Sequence, residues 1–221
     1  MGRFEPIEAE TGGLVAGIDE AGRGALAGPV SVGCVVFGLD FFERLGDSHS
    51  KESIFISKLD DSKKLSVKAR ESLLSQVRQH AAFASCMMIS NRTIDQIGIN
   101  PSIEKAVRIL IERCNRWLAA SRSFSVLIDG NYRFKSLTNA QNVSQVQSIV
   151  KGDSRVASIA AASILAKVLR DWRMDRFDRL YRGYDFAKHK GYGTLRHRQK
   201  MAELGLSSLH RQSYRLKHSV E

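Results

Sequence analysis

Two short apolar runs in this chain, Leu14–Ile18 and Phe124–Ile128, each end on an aspartate, Asp19 and Asp129. Both read as strands. An ionised carboxylate beside buried strand residues is costly unless it is paired or bound to a cation. Ligand sites in α/β sheets also tend to lie beyond strand ends. Glycine follows each acid closely, permitting a sharp turn and close backbone approach by a ligand. A lone strand-end Asp followed by Gly is more often a turn. Two such strands in one chain, with Glu20 beside the first, leave turn and carboxylate site level. If the first strand simply continued, Asp19 and Glu20 would point to opposite faces; Gly22 and Gly24 supply the freedom to bend both toward one site.

The remaining pattern supplies a sheet and its covering. Pro29–Phe37 is a β-branched run that reads as a second strand, Ala81–Ser90 as a buried strand, and Gln145–Val150 as the last. Ser66 is a good N-cap for a helix reaching His80, with Leu73, Leu74 and Val77 at helical spacing. A short turn at Ile94–Ile97 precedes a helix from Pro101, suited to the first helical position, to about Ala120. Asp153 or Ser154 is expected to cap a long helix to Leu180, whose alanines 157 and 160–162 allow close backbone packing. Thr194–Leu204 is a last helix. Residues 40–62 show no clean period and read as an extended loop or insertion. Strands first, then strands alternating with helices, predict an α/β or α+β fold with a central mixed sheet flanked by helices. Residues 1–180 form the expected core, and 181–221 an appended basic helical segment.

Charge is unevenly spread. The formal charge is +11 and the isoelectric point 9.8, and residues 151–221 hold 16 of the 34 basic but only 7 of the 23 acidic residues. A solvated helix face competes with an electrostatic footprint for phosphates, and so strong an asymmetry favours the footprint. Three widely spaced cysteines, Cys34, Cys86 and Cys114, exclude a disulfide framework and a CxxC zinc site. The most apolar run, residues 25–39, is broken by glycine and proline and too short to span a bilayer. The N-terminus has no apolar stretch of the signal-peptide kind. A cytoplasmic protein without a membrane anchor is the expectation.

Carboxylates without histidine or cysteine select a hard divalent cation, Mg2+ or Mn2+. With a polyanion-binding surface, the matching chemistry is metal-assisted phosphodiester hydrolysis, using two ions about 3.5–4 Å apart. On the long helix, Asp171, Asp175 and Asp178 share one face. They read either as ligands or as a surface stripe paired with Arg170, Arg173, Arg176 and Arg179, and spacing alone does not choose. The segment Gly22–Gly28 fits neither the P-loop nor the GxGxxG fingerprint. Lys63 and Lys64 precede a helix N-terminus and read equally as a phosphate seat or as capping and solubility. Tyr192, between two glycines, reads equally as a stacking platform for sugars or bases or as a buried turn residue. His189, His197, His210 and His218 read as surface or phosphate-facing.

These segments together resemble one family, bacterial ribonuclease HII. The matching stretches are Gly17-Ile-Asp-Glu-Ala-Gly-Arg-Gly24, Gly28-Pro29-Val30, Asp60-Asp-Ser-Lys-Lys-Leu65, Ile128-Asp-Gly-Asn131 and Gly152-Asp153. Further on come Ser158-Ile-Ala-Ala-Ala-Ser-Ile164, Ala166-Lys-Val168, Arg170-Asp171, Lys190-Gly-Tyr-Gly-Thr194 and His210-Arg211. The resemblance implies a ribonuclease H-like fold and a metal site of Asp19, Glu20, Asp129 and Asp171, holding two Mg2+ or Mn2+ ions. It implies that the Gly22-Arg23-Gly24 backbone senses a ribose 2′-hydroxyl, that Tyr192 packs on the adjoining deoxyribose, and that Lys63 and Lys64 hold a phosphate. The implied enzyme is a monomer. It hydrolyses the RNA strand of RNA–DNA hybrids and cuts 5′ to ribonucleotides in duplex DNA, leaving 3′-OH and 5′-phosphate ends. Departures from the family pattern are the long 40–59 stretch, Asp185 where glycine is common, Ser102 where alanine is typical, and Tyr214 where phenylalanine is usual. None touches an implied metal ligand.

Overall fold

The computed structural model describes residues 4, 8, 11, 13–45, 47–59, 66–118, 122–132, 134, 137 and 140–214. Lys63, Lys64 and His218 lie outside them. Among the described residues five strands form one mixed sheet: β1 (Leu14–Ala21), β2 (Val30–Phe37), β3 (Ala81–Ile89), β4 (Phe124–Asp129) and β5 (Val143–Ile149), in the order β3-β2-β1-β4-β5. The β1–β2 and β2–β3 pairs are antiparallel, and β1–β4 and β4–β5 parallel. β1 and β2 are almost wholly buried, as expected of strands covered on both faces. β3 is the correction to the expected buried strand. It is an edge strand with Ala82 and Ala84 exposed, because a run of small apolar residues does not distinguish edge from centre.

Helices cover both faces. In chain order they are α1 (Leu39–Arg44), α2 (Lys51–Leu59), α3 (Val67–His80), α4 (Asn91–Ile97), α5 (Ile99–Trp117), α6 (Ala157–Leu180), α7 (Phe186–His189) and α8 (Leu195–Leu204). On one face Ile103, Val107, Leu110 and Ile111 of α5 pack against Ile18, Val32, Val126 and Ile128. Pro101 is the third residue of α5, not its first, because the helix starts after Gly98. On the other face lies α6, with Ala160, Ala161 and Ala162 fully or almost fully buried. Its approach is close: a Cβ at Gly17 would lie 2.3 Å from the Ser158 main chain, and one at Gly33 2.3 Å from the Ala162 carbonyl.

The expected loop over residues 40–62 contains α1 and α2. Phe41 stacks on Phe37 with centroids 4.3 Å apart, and Phe55 meets Phe37 edge-on at 6.0 Å. The helices were hidden because two short pieces with a few aromatic anchors make no sustained 3.6-residue period. The expected side-chain cap on α6 is also absent. Gly152–Ser154 is a separate 3-10 turn, and α6 starts at Ala157. Its amides at Ala157 and Ser158 donate instead to the Glu8 carboxylate, at 3.2 and 3.1 Å. Ser66 does cap α3, accepting from the Ala69 amide at 3.3 Å.

After α6 the chain folds back on the loop between β1 and β2. Tyr184, Phe186 and Leu209 bury Ala27 and Met174 in a small cluster of their own. Isolated bridges join Ala25 to Tyr192 and Ala27 to His210. Among the described residues no helix is long and apolar enough to cross a membrane.

Candidate active site

Parallel register builds the centre. Ile18 stands opposite Ile128, so Asp19 and Asp129, the next residues, project from neighbouring strands on the face that α6 covers. Gly152 and Asp153 follow β5 and close the group: the Asp129 carboxylate accepts from the Gly152 amide at 2.7 Å and the Asp153 amide at 3.4 Å. Carboxylate oxygens of Asp19, Asp129 and Asp153 lie within 4.8 Å of one another. Asp19 is 6% exposed, accepts from the Glu20 amide at 2.7 Å and takes a hydrogen bond from Ser163 of α6. Burial first, then the Asp129 and Glu20 charges, push its carboxyl well above the usual carboxylate range. A mutually repelling, all-carboxylate set with Asp19 buried and Asp129 and Asp153 half-buried is one that a hard divalent cation satisfies.

The other implied acids stand apart from that trio. β1 runs on to Ala21, so Glu20 takes the opposite face, where the Tyr132 hydroxyl donates to it at 2.7 Å. Burial raises its carboxyl while the Tyr132 bond and the Arg23 charge act against that. Asp171, 6% exposed, is held by Lys167 Nζ at 2.7 Å, one turn back on α6. The arginine-paired stripe is corrected here. Asp175 pairs with Lys190, Asp178 accepts from the Ala187 amide at 3.1 Å, and Arg170 has no exposure at all.

Beside the acids opens a cleft of about 340 Å³ lined by residues 20–24, Arg70, Ser163, Ile164, Lys167 and Tyr192. Tyr192 reaches the Gly22-Arg23-Gly24 loop directly, its hydroxyl accepting from the Gly22 amide at 3.1 Å. Cations flank its ring: Lys167 Nζ lies 5.8 Å and the Arg170 guanidinium carbon 5.2 Å from the centroid. Arg23 turns to the other side, donating to Tyr132 and, at 2.6 Å, to Asn100.

The histidines are the clearest misreading. His189, His197 and His210 are buried; the first two stack at 4.1 Å, and His197 Nε2 meets His210 Nε2 at 3.1 Å. They support the Tyr192 turn from below, through His197 Nδ1 at the Tyr192 carbonyl and the Gly191 amide at His189 Nδ1. Burial lowers all three imidazoles, His197 to about 4. Asp153, Lys167, Ser163 and Tyr132 are site residues that spacing missed. Asp153, Ser163 and Lys167 stand in family-like stretches that carry no role for them, Asp153 reading there as a helix cap, and Tyr132 left no signal.

The ribonuclease HII family model matches residues 16–217. The chain is 37% identical over 203 residues to the ribonuclease HII of Campylobacter concisus, covering 92% of this chain and 94% of that one. It is 40% identical over 203 residues to that of Chlorobaculum tepidum, covering 92% and 90%. A solved structure, the PCNA:RNase HII complex from Archaeoglobus fulgidus, contains a chain of the same fold, with a TM-score of 0.72 at 24% identity, covering 94% of this chain and 98% of that chain. With that match along almost its whole length, and identities of 37–40% to bacterial members, the chain belongs to the ribonuclease HII family, the metal-dependent type 2 ribonucleases H.

Proposed function

We propose that the enzyme hydrolyses the RNA strand of RNA–DNA hybrids and cuts on the 5′ side of ribonucleotides embedded in duplex DNA, leaving 3′-OH and 5′-phosphate ends. One observation carries the reading: the paired strand-end carboxylates Asp19 and Asp129 adjoin a cleft rimmed by the glycine-rich main chain of residues 22–24 and Tyr192. Asp19, Glu20, Asp129 and Asp171 are the proposed metal ligands and catalytic acids, with Asp153 joining Asp19 and Asp129. Bound Mg2+ or Mn2+, two ions in the working enzyme, would activate the attacking water and stabilise the leaving oxygen. The chain's own groups do the rest. The Gly22–Gly24 main chain is proposed to read the 2′-hydroxyl, the group that separates RNA from DNA, and Tyr192 to pack on the neighbouring sugar. Lys167 supplies a cation at the cleft wall, and Lys63 and Lys64 are proposed phosphate contacts.

Residues 1–180 are proposed as the catalytic core, and the basic segment 181–221 as a contributor to duplex binding. A cytoplasmic, monomeric enzyme completes the proposal, consistent with three free cysteines. The test is a 5′-labelled DNA duplex carrying one ribonucleotide, incubated with Mg2+ or with chelator. A single cut 5′ to the ribonucleotide, dependent on the cation, is expected. An uncut but bound duplex, or equal cleavage of all-DNA, would overturn the reading.

A further inference from the structure

Two arginines are buried behind the cleft, with hydrogen bonds chiefly to main-chain carbonyls, while the acids Asp171 for Arg170 and Asp95 for Arg211 act on them from beyond salt-bridge distance. Arg170 is 0% and Arg211 2% exposed. Arg211 donates to the carbonyls of Gly22 (2.8 Å), Arg23 (2.8 Å) and Gly28 (3.0 Å). Arg170 donates to those of Ala27 (3.2 Å), Pro29 (2.8 Å) and Lys190 (2.8 Å). Tyr214 adds its hydroxyl to the Arg23 carbonyl at 2.7 Å. Burial lowers Arg170 only to about 10, so the guanidinium remains charged at neutral pH. A buried cation without an acid in direct contact costs stability, and such costs persist mainly where function needs them.

The geometry states what that cost secures. The loop from Gly22 to Pro29 turns its carbonyls inward onto two planar forks. The amides of residues 25–28 are taken up by main-chain carbonyls and Gly22 donates to the Tyr192 hydroxyl, but among the described residues nothing accepts from the Arg23 or Gly24 amide. Gly22 takes a φ of 88°, and a Cβ there would lie 1.9 Å from Arg170 Nε. Arg170 also holds the Lys190 carbonyl and lies against the Tyr192 ring, fixing both walls with one side chain.

We propose that Arg170 and Arg211 are positioning residues for sugar discrimination, aiming the Arg23 and Gly24 amides into the cleft by gathering the loop's carbonyls behind them. This rests on the reading of Gly22–Gly24 as the 2′-hydroxyl sensor. Neither arginine touches the substrate; each acts through the loop.

The test compares kcat/KM on a duplex carrying one ribonucleotide with the same duplex carrying a 2′-fluoro sugar, for wild type, Arg211→Lys, Arg170→Lys and Tyr214→Phe. Lysine keeps the charge but loses the planar fork. The 2′-hydroxyl preference should fall about tenfold in each lysine variant and about threefold in Tyr214→Phe. Calorimetric Mn2+ binding should stay at the wild-type value in all three. Tyr214→Phe removes no buried charge and carries the test if a lysine variant does not fold. A selective wild type whose folded variants keep full selectivity would overturn the inference alone. A wild type indifferent to the 2′ substituent would overturn the sensor reading, and the inference with it.

Discussion

Asp19 and Asp129 leave neighbouring parallel strands side by side, one residue beyond the Ile18–Ile128 pair. That arrangement sets stability against chemistry. The Asp19 carboxyl is raised by burial and then by its acidic neighbours, so the fold holds its proton more tightly than the unfolded chain does. Its stabilising contribution is complete below about pH 3.9 and is lost as pH rises through the raised value. At neutral pH without metal, Asp19→Asn should therefore raise Tm by about 2–4 °C while cleavage falls by about a thousandfold. Calorimetry in chelator, paired with the single-ribonucleotide assay, checks both; a variant that melts lower would contradict the account.

Glu8 fastens the start of α6 from a position 149 residues earlier in the chain. Truncating it leaves the buried Ala157 and Ser158 amides without acceptors. Glu8→Ala should cost about 2 kcal/mol in urea unfolding, and Glu8→Gln, which keeps one acceptor, clearly less. Equal stability of the alanine variant and wild type would remove the cap.

The histidine group predicts an acid weakness. His197 is depressed to about 4, and His189 and His210 are lowered as well. Unfolded imidazoles take up protons below about pH 6.5, and these folded ones do not. Stability should decline as pH falls from about 6.5 to about 4, by on the order of 3 kcal/mol for His197. In His197→Gln the slope of unfolding free energy across that window should flatten, whatever the substitution costs at pH 8.

Tyr192 joins the turn above those histidines to the Gly22 amide. Tyr192→Ala should reduce cleavage at isolated ribonucleotides about tenfold more than cleavage of long hybrids, where neighbouring riboses offer further contacts. Tyr192→Phe, which keeps the ring and loses the acceptor, should fall between. Initial rates on the two substrates decide, and equal losses would take Tyr192 out of junction recognition.

The strand-end aspartates were legible because a short apolar run ending in an acid is a local pattern. What sets Asp19 beside Asp129 is the register of two strands separated by more than a hundred residues, and no window along the chain contains it. Arg170 shows the same limit. Its spacing on α6 matches that of its surface arginine neighbours, and its burial is decided by carbonyls of a loop about 140 residues away. The histidines are spread over 22 positions, from His189 to His210, and meet only because α7, α8 and the segment after α8 converge on Phe186. Phe41 and Phe55 fail for a simpler reason, since each anchors a helix too short to display a repeat.

The bridges from Ala25 to Tyr192 and from Ala27 to His210 impose an order on biogenesis. The nascent polypeptide carries Asp19 and its glycine loop out of the ribosome early, yet the pieces that shape this loop, Tyr192 and Arg211, are translated more than 160 residues later. Until residue 211 has emerged, a growing chain holds Asp19 and its glycine loop without the arginine that gathers the loop's carbonyls, and the wall beside the acids closes only then.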